Sequence, residues 1–140
     1  LQRELGPRGL TFDAIDVQGL FSLTVNLVVT QEWLAGNPES ARKLLRALTR
    51  AAEFVKRNPQ EAQRTTARYS PLDEALLREL WDGYRFDVRL DQSLQIALEG
   101  VSRWAIKHRI SGSTEVPDFR AFIAADELRR VSPDAISVIR

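Results

Sequence analysis

One stretch of this chain follows a different periodicity from the rest. Between residues 20 and 30, Phe21, Leu23, Val25, Leu27 and Val29 occupy alternate positions, and Ser22, Thr24, Asn26 and Thr30 dominate the positions between them. A period of two with β-branched enrichment predicts a strand with one buried face. Such a strand cannot satisfy its own edges, and only two short segments elsewhere offer themselves as partners. The missing strands are expected upstream, so the 140 residues read as an excerpt of a longer domain. Nothing near Leu1 resembles a signal peptide, since Arg3 and Glu4 follow with no hydrophobic segment. With no starting Met, either a leader has been removed or the chain is an excerpt, and the unpartnered strand favours the excerpt.

After the strand the pattern becomes helical. Asn37-Pro38-Glu39 combines a capping side chain, a proline at the first helical position and an acid in the first turn. Ala41, Leu44, Leu45, Leu48, Ala51, Ala52 and Val55 then recur at helical spacing. Asn58-Pro59 repeats the start signal, and Ser70-Pro71-Leu72-Asp73 does so a third time, leading Leu76, Leu77, Leu80 and Trp81. Phe86, Val88 and Leu90 alternate with Arg85, Asp87 and Arg89, predicting a short extended segment. Asp91 caps a further helix that ends in Lys107, His108 and Arg109, where positive charge suits the helix dipole. A loop over 111–117, short helical pieces near 118–123 and 126–130, and an apolar stretch over 136–139 complete the chain. The fold class is α/β and helix-rich, with one long strand and one or two short ones.

Several chemistries are excluded. Cysteine is absent, which removes disulfides, thiolate metal sites and cysteine nucleophiles. The net charge of +1 gives no footprint for nucleic acid. The longest apolar run, 20–29, is too short to span a bilayer as a helix. Gly6, Gly9, Gly19, Gly36, Gly83, Gly100 and Gly112 never gather into a phosphate-binding loop. The one histidine, His108, reads as a cation ending a helix. Asp13 and Asp16 read as an exposed turn. Trp81 and Trp104 read as core or core-edge residues, and Trp33 as a residue closing the end of a core. No catalytic constellation, metal site or cofactor site is expected. The polar strand face of Ser22, Thr24 and Asn26 reads as a sheet surface; alternatively, its early end approaches a ligand.

The order of several short motifs resembles a known family. Leu27-Val28-Val29-Thr30-Gln31-Glu32-Trp33-Leu34-Ala35, then Asn37-Pro38-Glu39, the helix over 44–56 and Asn58-Pro59 lead the series. Leu90-Asp91-Gln92-Ser93-Leu94, Arg103-Trp104-Ala105-Ile106 and Pro117-Asp118-Phe119 with residues 126–128 follow. Together they resemble the C-terminal region of periplasmic solute-binding proteins of ABC importers, of the sulfonate, nitrate and taurine type. That type includes binders of a pyrimidine thiamine precursor. The resemblance runs from about residue 20 to residue 139, and rests on order and spacing because Asn-Pro-Glu alone is a generic helix start.

The resemblance implies a partial type II periplasmic-binding fold that closes on ligand by hinge bending. Residues 1–19 would form an inter-lobe segment, and residues 20–140 the C-terminal part of the solute-binding domain. It implies a small anionic solute as ligand, ABC permease subunits as partners, a periplasmic or extracytoplasmic location, and no enzymatic activity. Most of the ligand site is expected upstream; here only Phe21 and Ser22 correspond to ligand-touching positions, with Phe21 standing where the family often has tyrosine. Two alternatives are a helical protein-interaction domain and a precursor-synthase enzyme on the same fold. The isolated chain is expected to self-associate through apolar stripes left without their sheet.

Overall fold

The computed structural model describes residues 24–137. Six α-helices follow one another among these residues: α1 (Gln31–Gly36), α2 (Pro38–Arg57), α3 (Pro59–Tyr69), α4 (Glu74–Leu80), α5 (Gln92–Lys107) and α6 (Asp126–Val131). Short 3-10 turns at Trp81–Gly83, Phe119–Phe122 and Pro133–Ala135 connect or extend them.

The Asn-Pro dipeptides break the helical path as expected, but by a different mechanism. Neither Asn37 nor Asn58 caps the following helix with its side chain. Each amide folds back instead: Asn37 Nδ2 donates to the Trp33 carbonyl at 3.0 Å, and Asn58 Nδ2 to the Phe54 carbonyl at 3.4 Å. The proline ring disfavours the α conformation in the residue before it. Both asparagines accordingly sit near φ −133°, outside the helical region, and serve the helix that ends rather than the one that begins. Where no proline intervenes, true N-caps form. Thr30 Oγ1 accepts from Trp33 N at 3.1 Å, Asp73 Oδ1 from Leu76 N at 2.8 Å, and Asp91 Oδ1 from Ser93 N at 3.0 Å. The third start signal therefore resides in Asp73, and Ser70-Pro71 belongs to the turn before it.

Helix α2 is the centre of the packing. Its apolar residues cover an arc of roughly 200° at about 100° per residue, wider than a single neighbour can cover. One side, carrying buried Ala41 and half-buried Leu45 and Ala52, packs against α6 and α3. Leu128 of α6 is buried, as are Ala62 of α3 and Leu77 of α4, which packs on α3 in turn. The other side of α2, with Leu44, Ala47, Leu48, Ala51 and Phe54, stays exposed.

The sheet part of the expectation is not observed among the described residues. Residues 24–30 form no ladder, and Val25 and Val28 are 102% and 82% exposed. A strand is stabilised by its cross-strand partners, and no described segment lies beside this one. Residues 20–23 of the expected strand lie outside the described residues. The second extended segment fares better. Phe86, Val88 and Leu90 are half-buried while Arg85, Asp87 and Arg89 are exposed, so the alternation is real. Leu90 forms one parallel bridge with Ile136: its N–H donates to the Ala135 carbonyl at 2.8 Å, and its carbonyl accepts from Ser137 N at 2.9 Å. No helix among the described residues is long and apolar enough to cross a membrane.

Candidate functional site

The two ligand-touching positions implied by the resemblance, Phe21 and Ser22, lie outside the described residues, as do Asp13 and Asp16. Of the polar strand face, Thr24 and Asn26 are described and exposed. They stand on the segment leading into α1, whose N-terminus Thr30 caps.

The three tryptophans separate. Trp81 is half-buried at the end of α4, 4.8 Å from Phe86 between ring centroids, which is the core-edge role expected. Trp33 is 39% exposed on α1. Trp104 departs from expectation: it is 54% exposed on α5. The helical pattern correctly placed it on an apolar stripe, but α5 packs on the Phe119–Phe122 turn and leaves Ile96, Val101 and Trp104 facing outward.

His108 ends α5. Its Nδ1 lies 2.8 Å from the Trp104 carbonyl, and its ring lies 4.7 Å from the indole. The next residue, Arg109, adopts φ 55°, and Ile110 N donates to the Ala105 carbonyl at 2.9 Å. This is a Schellman-type ending with arginine in the left-handed position usually taken by glycine. His108 is thus engaged with a helix terminus. No group of His, Asp and Glu with metal-binding arrangement occurs among the described residues.

A concave feature lies where α2 passes into α3 and faces the turn after α4. An open groove of about 350 Å³ is lined by Val55, Pro59, Trp81, Tyr84 and Phe86, with Lys56, Asp82, Arg85 and Asp87 at its polar parts. Tyr84 stands 6.0 Å from Phe86. Lys56 binds the Asp87 carboxylate directly. That hydrogen bond holds the Asp87 carboxyl below the ordinary carboxylate range. With Lys56 neutralised in this way, the groove offers apolar contact but no concentrated positive field for an anion. Phe86 was visible in the sequence through its alternation. The Lys56–Asp87 pair, spanning 31 residues, left no local signal.

The more extensive feature is uncovered apolar surface. Leu44, Leu48 and Phe54 on α2, Ile96, Val101 and Trp104 on α5, Ile110 beyond it, and Phe122 are all exposed. No large side chain among the described residues is fully buried. Soluble domains rarely leave such surface open unless it meets a partner.

Comparison with known proteins adds one finding. A family described as NMT1/THI5 like matches residues 4–62, under half of the 140 residues. The matched span includes residues 24–30, α1, α2 and the first residues of α3. No curated protein and no solved structure matches the chain. For the matched part, the similarity supports the sulfonate, nitrate and thiamine-precursor binding proteins, and with them a solute-binding or related function.

Proposed function

We propose that this chain is the carboxy-terminal part of the solute-binding component of an ABC importer for small anionic nutrients such as sulfonates, nitrate or taurine. It works outside the cytoplasmic membrane, binds rather than transforms its ligand, and hands it to the permease subunits. The observation that carries this reading is the NMT1/THI5-like match over residues 4–62. That span contains Phe21 and Ser22, which on this reading touch the ligand, and the junction from residues 24–30 into α2. The uncovered apolar arc of α2 supports the same reading, because a helix of a two-lobed receptor needs a sheet on that side.

Thermal-shift and calorimetric titration of the protein together with its upstream region test the reading. Saturable stabilisation by taurine, an alkanesulfonate or nitrate is expected. A folded protein that responds to none of a panel of small oxyanions, or one that consumes a pyrimidine precursor, would sink it.

A second reading, a helical protein-interaction domain, draws on the exposed face of α5 carrying Ile96, Val101 and Trp104. It predicts a folded 140-residue chain that is monomeric alone and indifferent to oxyanions.

A further inference from the structure

Helix α5 divides at Gly100 in two respects. By helical count Ser93, Ile96, Gly100, Trp104 and Lys107 share one side and are all exposed, while Leu94, Leu98 and Ala105 on the opposite side are half-buried. Ile96 and Trp104, 60% and 54% exposed, stand about one turn before and one turn after Gly100. A methyl group built on Gly100 would meet nothing within 4 Å. The charges divide at the same residue. Over 91–99 the charged side chains are Asp91 and Glu99, both acidic; over 101–109 they are Arg103, Lys107 and Arg109, all basic.

We infer that the open side of α5 docks against α5 of a second copy of this chain, antiparallel, on a two-fold axis passing beside Gly100. A two-fold contact is self-complementary: residue i meets residue j, and j meets i. With the axis at Gly100, Ile96 of each copy lies against Trp104 of the other. The two glycines face each other at the crossing, and their missing side chains let the helices approach closely there. The charges select the same arrangement. An antiparallel pair sets the acidic half of each helix against the basic half of the other, and brings Lys107 level with the first turn after Asp91. A parallel pair would set Lys107 beside Lys107 and Asp91 beside Asp91, which repel. Within one chain Arg103 pairs with Glu99 at 3.3 Å and Arg89 with Asp91 at 3.0 Å. Lys107 and Arg109 have no ion pair among the described residues, and the antiparallel copy brings carboxylates toward Lys107. Two patterns centred on one residue are what a second copy of the same helix requires; a different partner imposes no such centre. A single helix-on-helix contact is a small interface, so the dimer is reversible and grows with concentration. The inference rests on α5 alone, not on the receptor reading.

The absence of cysteine makes the test clean. The 140-residue chain is prepared as G100C, I96C and W104C, with helical content confirmed by circular dichroism, and oxidised mildly. Disulfide-linked dimers are identified by mass. G100C is expected to link to itself, and mixed I96C and W104C to link to each other, at least about tenfold faster than I96C or W104C links to itself. In the antiparallel pair, like positions other than Gly100 stand about 12 Å apart along the axis, too far for a disulfide. I96C and W104C linking to themselves as fast as to each other, or G100C linking no faster than I96C alone, would overturn the inference. G100L gives an independent measurement. Leucine favours the helix more than glycine does, so its melting temperature should rise while its bulk holds the helices apart. Light scattering should then show less association at every concentration than in the unsubstituted chain. Undiminished association in G100L, or an unsubstituted chain that stays monomeric, overturns the proposal as well. None of these outcomes bears on oxyanion binding, so failure here and failure of the receptor reading are separately visible.

Discussion

Arg42 on α2 and Glu127 on α6 are 85 residues apart in sequence, yet Arg42 Nη1 lies 2.6 Å from Glu127 Oε2. Both side chains are largely shielded, at 23% and 13% exposure, beside buried Ala41 and Leu128. Glu39 also holds Arg42 at 2.8 Å, and Arg130 lies 2.5 Å from Glu127. The ends of the described chain are therefore joined by a charged network over a small apolar contact.

Removing one partner strands the other in a partly dry site. R42A and E127A are each expected to lower the urea midpoint of the chain. In urea unfolding the double variant should cost less than the sum of the two. Strict additivity would show that the pair contributes nothing.

The caps divide into two kinds, and substitutions should show it. D73A and D91A remove side chains that accept from the first turn of α4 and α5, and each should cost about 1 kcal/mol. N37A and N58A remove only a bond back to the preceding helix, and should cost less. Thermal melts of the four variants rank them.

Arg109 occupies a left-handed conformation that favours glycine. R109G is expected to raise stability by about 1 kcal/mol. A drop in melting temperature would show that its charge at the helix terminus outweighs the backbone strain.

Acid should weaken the fold, with a definite sign. Hydrogen bonds from Arg42 and Arg46 hold the Glu39 carboxyl below its ordinary range. Lys56 does the same for Asp87, Ser93 for Asp91, Gln95 and then Arg103 for Glu99, and Arg120 for Asp118. A depressed folded-state value means the unfolded chain takes up protons first. The stabilisation is therefore complete above the unfolded carboxylate range and is lost as pH falls through the folded values. Denaturation midpoints should be level down to about pH 5 and fall below about pH 4. Because most of these groups are exposed, added salt should flatten the acid limb.

The open face of α5 should make the chain self-associate. Light scattering of the 140-residue chain is expected to show mass rising with concentration, and V101E/W104E to lower it without loss of helicity. A monomer at high concentration in the unsubstituted chain would contradict this.

Much of the helical order was legible because its causes are local. Pro38 and Pro59 break the path through their own rings, Asp73 and Asp91 cap within three residues, and Phe86, Val88 and Leu90 alternate in burial as they do in sequence. Asn37 and Asn58 serve the preceding helix rather than the expected one, because an amide beside proline can bond to either helix, and the residues alone do not rank the two. The candidate ligand positions Phe21 and Ser22 stand at the early end of the polar strand face, whose uncharged hydrogen-bonding groups suit a sheet surface as well as a ligand, and only the resemblance to a family points to the ligand.

By itself, then, the amino-acid order determined where helices start and stop and which residues share a face, because capping, ring constraints and periodicity act over a few positions. Only the tertiary structure decided which half of the α2 arc is covered, that Trp104 faces outward, and that Leu90 meets Ile136 while Arg42 meets Glu127. Those outcomes depend on contacts between distant segments, whose loop-closure cost and competing partners leave no periodic trace in the residues.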